Sequence, residues 1–314
     1  MFERTTKVYL DTVPFEIKGR AVALGLFDGI HAGHAPIIMK AVKAAKQNGL
    51  KSTVMTFSGS VKGEKRYITS LEERLDILSQ FGVDEMLVLD FDSIKDLDHN
   101  AFCEEILRNK LNAKALFAGD DFRYGKGALG NCETLKAFGS DNGIAVKIFK
   151  ALLLPGTDRR ISSSWIKEAL DEGDAALASK LLGDRPFYYT GIVTKGKQLG
   201  RQLGFPTANL IIPEDKLTVR RGVYASRLTL GKEVYNGVTN VGRRPTFDDS
   251  DADTVETYIF DFDEDIYGAR IKVELLEFLR PETRFTGPEE LAQTVASDKI
   301  NAKTYHDKRG IMSE

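Results

Sequence analysis

The sequence predicts an α/β domain with a parallel sheet, followed by a mainly β domain. Over residues 20–150, apolar strand patterns alternate with helical patterns, which indicates a Rossmann-like sheet with helices on both faces. From residue 187 onward, nearly every pattern is that of a strand, separated by Gly, Pro, Asn and Asp. A run of strands indicates a separate antiparallel sheet or small barrel. The 314 residues also exceed what one hydrophobic core usually holds.

The elements of the first half follow from apolar runs and helix caps. Residues 20–27 (RAVALGLF) are a continuous apolar run, which is typical of a strand buried on both faces. Gly49 ends the next helical pattern, and Thr69-Ser70-Leu71-Glu72 is a capping box that opens another. The predicted strands are 20–27, 51–57, 85–91, 114–118 and 143–150, and the predicted helices are 34–48, 69–82 and 101–111.

The second half begins with two short helices that end at Gly183, before the run of strands starts. We therefore expect a domain boundary near residues 183–186, which gives an N-terminal domain of residues 1–184 and a C-terminal domain of residues 185–314. The predicted helices are 162–170, 175–182 and a closing helix at 288–306, and the predicted strands are 187–194, 222–230, 233–241, 254–261 and 270–279.

Composition and charge predict an ordinary cytoplasmic protein. The net charge of −2 gives no sign of a nucleic-acid coat or a membrane-surface stripe. The first residues lack the apolar core of a signal peptide, and no apolar run is long enough to span a bilayer. Cys103 and Cys132 form no paired motif, so neither a disulfide framework nor a zinc site is expected. The oligomeric state remains open.

The segment GLFDGIHAGH (residues 25–34) combines the features of a phosphate-binding site. It follows the first predicted strand, and open α/β sheets bind ligands at the carboxyl ends of their strands. Gly29 and Gly33 allow close approach of the backbone to a phosphate at a helix N-terminus. His31 and His34 are three residues apart, so both can face one direction and donate to phosphate oxygens. The alternative is a pair of solvated histidines beside a turn.

This segment resembles the first motif of the H-x-G-H nucleotidyltransferases, in particular the adenylyltransferase half of prokaryotic bifunctional riboflavin kinase/FAD synthetases. Two later segments, AGDDFRYG (118–125) and ISSSWIK (161–167), resemble further motifs of that half in the same order. The resemblance implies that His31 and His34 are catalytic. The residues that it implies for binding the nucleotide and flavin are Gly25, Phe27, Asp28, Gly33, Asp121, Ser162, Ser163, Ser164 and Lys167.

A second candidate site lies at the start of the β domain. Gly196, Gly200 and Gly204 lie in a stretch whose N–H groups can wrap phosphates. Thr207 and Asn209 follow, and in an extended chain they point the same way. Hydroxyl and amide oxygens are suitable ligands for a Mg²⁺ ion that also holds nucleotide phosphates. The alternative is a flexible, glycine-rich turn region.

The segment GKQLGRQLGFPTAN (196–209) resembles the riboflavin kinase signature, and the segments at 221–225, 240–247, 255–261 and 279–285 resemble later motifs of that family. Glu256, which by spacing alone reads as an exposed strand carboxylate, then matches the general base for the ribityl hydroxyl. The resemblance also implies that Asn240 and Arg280 bind nucleotide or flavin. Covering nearly the whole chain, it implies an ATP- and Mg²⁺-dependent enzyme that converts riboflavin to FMN and FMN to FAD.

Other interpretations remain open. Leu26 stands where the family motif has Asn, Lys167 stands where the family has Arg, and residues 58–63 (SGSVKG) replace a Pro-His-Pro segment. The last two of these departures favour a flavokinase with a weakened or redox-selective adenylyltransferase domain. A non-catalytic flavin- or nucleotide-sensing regulator is a further alternative. The H-x-G-H motif alone is also compatible with an aminoacyl-tRNA synthetase or another cofactor adenylyltransferase.

Overall fold

The computed structural model describes residues 5–63, 66–195, 205–244, 252–283 and 285–311. Within it the chain divides into an N-terminal unit, residues 2–163, and a C-terminal unit, residues 164–314. The two short helices expected in the first domain thus belong to the C-terminal unit. The functional boundary at residues 184 and 185 stays a prediction.

The N-terminal unit is built on a six-stranded, fully parallel sheet with the order β1-β4-β3-β2-β5-β6. From β2 the chain proceeds to β3 and β4 on one side, and it then returns to add β5 and β6 on the other side. Such a reversal of strand order opens a crevice at the carboxyl ends of the two neighbouring strands where the order reverses, here β2 and β5. The strands are β1 (Lys7–Leu10), β2 (Arg20–Leu24), β3 (Lys51–Ser58), β4 (Glu85–Asp90), β5 (Ala113–Gly119) and β6 (Ala145–Phe149).

Both faces of this sheet are covered, which confirms the reasoning from the apolar run. Along β2, Val22 and Leu24 belong to one hydrophobic core, whereas Ala21 and Ala23 belong to another on the opposite face. The helices are α1 (Ala35–Asn48), α2 (Leu71–Gln80), α3 (Phe91–Ile94), α4 (His99–Ala101, continued by a π-helical segment Phe102–Lys110) and α5 (Cys132–Asp141). The first core takes side chains from α4 and α5, and the second takes them from α1 and α2.

Some features of this unit depart from the sequence-based expectation, including the short helix α3, which begins at Phe91 where a strand was predicted to end. Strand β2, which was expected to run to residue 27, ends at Leu24. Phe27 adopts a left-handed backbone conformation, so the chain leaves the sheet before it. Strand β1 was not predicted, since its residues are largely exposed at the sheet edge and carry little apolar signal. Helix α5 was also missed, although an Asn131–Thr134 capping box marks its start.

The C-terminal unit has two short helices, then a six-stranded antiparallel sheet with the order β7-β12-β9-β10-β11-β8. A bridge between Thr194 and Asn209 joins the two outer strands, so that the sheet forms a nearly closed barrel. The elements are α6 (Ser163–Glu172), α7 (Ala175–Leu181), β7 (Tyr188–Ile192), β8 (Ala208–Ile211), β9 (Gly222–Leu230), β10 (Glu233–Arg244), β11 (Ala252–Ile259), β12 (Arg270–Pro281) and α8 (Pro288–Ile311). The short strand β8 was not predicted.

Helix α8 covers one outer face of the barrel. Ala302 of α8 is fully buried in a cluster with Val223, Ala225, Val238 and Phe260. Because side chains along a strand alternate between faces, Phe260 follows Tyr258 and Glu256 on one side of this chain segment, and Tyr258 also packs against the same cluster. Glu256 therefore lies on the helix-covered side of the sheet.

Candidate active sites

The loop after β2 has an unusual backbone. Phe27, Gly29 and Ile30 have φ angles of 52°, 80° and 42°, so three of four successive residues are left-handed. Two of them carry side chains, for which this conformation is costly and persists only where the surroundings enforce it. Phe27, Asp28 and Ile30 are all buried. Such enforced strain is concentrated at functional sites.

His31 and His34, selected from their spacing, lie together directly after this turn. Their rings stack with centroids 3.5 Å apart and an interplanar angle of 19°. The N–H of Gly33 donates to Nδ1 of His31 over 3.1 Å, which leaves Nε2 as the donor atom of the neutral His31 ring. A Cβ on residue 33 would lie 3.1 Å from Cε1 of His31, so glycine preserves the stack.

His34 is held in an environment that disfavours its charged form. Burial lowers its pKa well below 6.5, and the nearby charges of His31, Arg74 and Arg160 lower the pKa further. Its Nδ1 is buried and has no hydrogen-bond partner among the described residues. A neutral imidazole offers one donor and one acceptor, and an unsatisfied buried polar atom is a natural contact for a ligand or a water molecule.

Polar contacts draw two further segments to the turn. The hydroxyl of Ser163 donates to the carbonyl of Asp28 over 3.0 Å, and the backbone N–H of Thr69 donates to the Asp28 carboxylate over 3.1 Å. Ser163 is the first residue of α6 and follows Ser162 directly, whereas Ser164 and Lys167 belong to the C-terminal unit. A contribution of Ser164 and Lys167 to nucleotide binding therefore stays a prediction.

Asp121 lies at the other side of the crevice, just beyond the end of β5 at Gly119. It forms an ion pair with Arg160, whose charge also acts on His34. Strands β2 and β5 thus lead to the histidine pair and to Asp121, the ion-pair partner of Arg160, at the carboxyl ends of the strands, where the fold is expected to bind ligands. Arg160 directly precedes the ISSSWIK segment, and a cation next to a serine-rich helix start was the signal that could have identified it.

Residues 58–63, which replace the Pro-His-Pro segment, are held by hydrogen bonds to Tyr67. The hydroxyl of Tyr67 donates to the carbonyl of Gly59 and accepts from the N–H of Val61 over 3.3 Å. The same ring lies 5.3 Å from the guanidinium of Arg74. Sequence reasoning missed both residues, although an arginine on the apolar face of α2, three residues after Leu71 and three before Ile77, was an available signal.

In the barrel, strand register unites three of the predicted residues. Glu256 on β11 is directly opposite Asn209 on β8 and directly opposite Asn240 on β10. Directly opposed residues have Cβ atoms about 4.5–5.5 Å apart and project to the same face. Asn209, Glu256 and Asn240 therefore form a row across three neighbouring strands.

Thr207 and Asn209, two residues apart, are in direct contact. The Asn209 amide donates to the backbone carbonyl of Thr207 over 2.9 Å and to its hydroxyl over 3.2 Å, so the Asn209 side-chain oxygen points away from this contact. Both residues line a pocket that is also lined by Asp263, Glu264 and Asp265. The described residues contain no group of three His, Cys, Asp or Glu side chains arranged to hold a metal. The donor set suits a Mg²⁺ ion bound mainly by phosphate oxygens.

Arg280 is engaged within the protein. Its Nε and Nη2 donate to the two carboxylate oxygens of Asp298 on α8 over 2.8 and 2.7 Å, and Nη1 donates to the carbonyl of Pro281. A flavin contact from Arg280 therefore stays a prediction. Gly196, Gly200 and Gly204 lie outside the described residues.

Comparisons with known proteins match both halves of the chain. A family model described as riboflavin kinase matches residues 183–306, and one described as FAD synthetase matches residues 14–165. A bifunctional riboflavin kinase/FMN adenylyltransferase of Bacillus subtilis is 36% identical over 294 residues, covering 90% of this chain and 92% of the relative. A Listeria monocytogenes protein of the same description is 33% identical, covering 92% and 93%.

A solved structure from Streptococcus pneumoniae, described as a macrolide-efflux protein, is also similar. It is 31% identical, covers 94% of this chain and 97% of its own, and has a TM-score of 0.80. Within the described part of the present chain, no helix has the length and apolar character needed to cross a membrane.

Proposed function

The chain belongs to the family of bifunctional riboflavin kinase/FMN adenylyltransferases, and we propose that its two candidate sites divide the two reactions between them. The enzyme phosphorylates riboflavin to FMN and adenylylates FMN to FAD, with ATP as the second substrate of each step. One observation carries the division: each candidate site falls within the residues matched by one family model, the histidine pair within 14–165 and the Asn209–Glu256–Asn240 row within 183–306.

In the barrel, we propose that Glu256 is the general base. Its carboxylate accepts the proton of the terminal ribityl hydroxyl as that oxygen attacks the γ-phosphorus of ATP, and the P–O bond to ADP breaks. Thr207 and Asn209 would hold Mg²⁺, which supplies positive charge to the phosphate oxygens. Asn240, next to Glu256 in the strand register, supports the orientation of the base or the substrate.

In the N-terminal unit, an oxygen of the FMN phosphate attacks the α-phosphorus of ATP, and pyrophosphate leaves. The stacked rings of His31 and His34 donate hydrogen bonds to phosphate oxygens as negative charge develops on them. Gly25, Phe27, Asp28 and Gly33 shape the turn that presents the rings. Placement and electrostatic stabilisation suffice, so no covalent enzyme intermediate forms.

The location and partners follow as part of this proposal. Both cysteines, Cys103 and Cys132, are buried free thiols, which supports a reducing, cytoplasmic setting. The partners that the reactions require are small molecules: riboflavin, FMN and ATP. We propose no nucleic-acid or membrane partner, and the oligomeric state is left to measurement.

A time course tests the proposal. The protein is incubated with riboflavin, ATP and Mg²⁺, with oxidised flavin and with anaerobically reduced flavin, and the flavins are separated by chromatography. We expect FMN first and FAD second. His31→Gln should slow FAD formation about a hundredfold while FMN forms at the normal rate, and His99→Gln is the matched control with both steps intact.

Each contrary outcome selects an alternative. FAD that forms only from reduced flavin would identify a redox-selective adenylyltransferase domain. FMN that accumulates in both redox states would leave a flavokinase and reject the N-terminal mechanism. A protein that turns over neither substrate would be a regulator of the kind considered above.

A further inference from the structure

Arg74 is a charged residue buried beneath the Leu26–Gly29 turn, which precedes His31 and His34. Only 2% of its surface is exposed. Its Nη1 donates to the carbonyl of Leu26 over 3.2 Å and to the hydroxyl of Thr56 over 2.9 Å, and its Nη2 donates to the carbonyl of Thr69 over 3.3 Å. One guanidinium therefore joins three separate chain segments at the carboxyl edge of the sheet.

The start of α2 determines where Arg74 points. Ser70 and Glu73, one residue beyond the box expected at Thr69 and Glu72, form a reciprocal capping box that fixes the first turn of this helix. Helical side chains lean toward the helix N-terminus, so an arginine in the first turn of α2 reaches back over its own start. The planar fork of the guanidinium then contacts Leu26 and Thr69 with separate nitrogen atoms.

These contacts hold the strained turn from below. Leu26 directly precedes Phe27, where the left-handed conformation begins, and its carbonyl also accepts from the hydroxyl of Thr56 over 2.6 Å. Thr69 completes the support, because its hydroxyl accepts from the N–H of Gly29 over 2.9 Å and its own N–H donates to Asp28. Arg74 thus connects the residues that keep Phe27, Asp28 and Gly29 in place.

The charge of Arg74 also reaches the histidine pair. Burial is the largest cause of the lowered pKa of His34, and His31, Arg74 and Arg160 follow in that order. Two carboxylates near this region are Asp121, which pairs with Arg160, and Asp28, which accepts from the N–H of Thr69 within the turn. The effect of the Arg74 charge can therefore be measured as a change in the pKa of His34.

We infer that Arg74 is a positioning residue for FMN adenylylation: it holds the Leu26–Gly29 turn in the geometry that presents His31 and His34 to the phosphates of ATP. The inference rests on the proposed function of the N-terminal unit. A misplacement of about 1 Å can reduce a rate about a hundredfold, so loss of Arg74 should act on kcat for FAD formation through the position of the turn.

The test compares Arg74→Met and Arg74→Lys with a matched control, Arg20→Lys. Arg20 is also almost fully buried in the N-terminal unit, and it bonds to backbone carbonyls and to Glu85, but at the start of β2, away from the turn. Rates of FMN and FAD formation are measured on the full-length protein and normalised to the folded fraction, determined by limited proteolysis. Nuclear magnetic resonance titration of the histidine rings gives the pKa of His34.

We expect Arg74→Met to reduce kcat for FAD formation about a hundredfold, with riboflavin phosphorylation unchanged and the pKa of His34 raised. Arg74→Lys keeps the charge but loses the fork, so the pKa should remain low while kcat stays reduced. Arg20→Lys should leave kcat per folded molecule unchanged.

Thr56→Val is a milder variant that removes one hydroxyl from the support, and it should cause a smaller loss of the same kind. If FAD formation per folded molecule stays within about twofold of the wild type in Arg74→Met, a change far below that expected for displaced groups, the inference is overturned. It is also overturned if Arg74→Lys restores kcat in full. Failure of the proposed function would look different, because the wild-type protein itself would then form no FAD.

Discussion

The two candidate sites are built by different means. In the N-terminal unit, ten consecutive residues fold into a strained turn that stacks His31 on His34, and buried groups such as Arg74 support it from beneath. In the barrel, Asn209, Asn240 and Glu256 come from three strands and meet only through the strand register. The first site should therefore depend on backbone geometry, including its glycines, whereas the second should depend on individual side chains.

The largest effect that this comparison predicts is at Glu256. Glu256→Gln keeps the size and strand position of the side chain but removes the base, which should slow riboflavin phosphorylation about 10²–10⁴-fold. Adenylylation should be unaffected when FMN is supplied directly, because the histidine pair is intact. Separate assays of FMN formation from riboflavin and of FAD formation from FMN provide the measurement.

The matched control is Glu233→Gln, which alters a carboxylate at the start of β10 where it bonds to the Tyr235 hydroxyl. It should leave both reactions unchanged. A Glu256→Gln protein that phosphorylates riboflavin at the wild-type rate would remove Glu256 from the mechanism. The barrel site would then have to be defined by other residues.

The same difference explains what could be predicted from the sequence. The parallel sheet was predictable because the buried strand β2 is a continuous apolar run, and the ring pair was predictable because His31 and His34 are close in sequence. Arg74 and Thr69 were not predictable as supports, since their contacts to Leu26 and Gly29 join segments whose approach depends on tertiary packing.

In the barrel, the sequence could not predict how the strands pair. The short strand β8 has only four residues, and the alignment of Asn209 with Glu256 requires its register on β11. A shift of one residue would reverse the face of every side chain on β8. Sequence motifs identified these residues through family resemblance, but no local pattern predicts which of them are neighbours.

A smaller effect is expected at Gly33, where it tests the dependence on backbone geometry. Gly33→Ala adds a methyl group that would lie 3.1 Å from Cε1 and 3.2 Å from Nδ1 of His31. Because this is closer than ordinary contact, the His31 ring must shift, and adenylylation should fall about tenfold, less than the loss expected when an essential group is fully displaced. Steady-state assays of FAD formation from FMN measure this change.

The control for this substitution is Gly287→Ala, because a Cβ on residue 287 meets no atom within 4 Å. It should leave both reactions unchanged. If Gly33→Ala forms FAD at the wild-type rate, the stacked arrangement of the rings is not required, and the proposed contrast between the two sites is weakened.

The smallest effect concerns stability and pH. Burial, followed by the charges of His31, Arg74 and Arg160, lowers the pKa of His34 below its ordinary value of 6.5, so the folded protein binds fewer protons at this site than the unfolded chain. The corresponding stability is fully present above pH 6.5 and is lost as the pH falls from there toward the lowered pKa.

Thermal unfolding between about pH 7.5 and 5, a range that spans the ordinary histidine pKa, should show a fall of a few degrees in Tm. His34→Gln removes the titrating ring, so its Tm should depend less steeply on pH than that of the wild type. Parallel curves for the two proteins would mean that His34 is protonated as readily in the folded state as in the unfolded chain, and its burial would then contribute nothing to the pH dependence of stability.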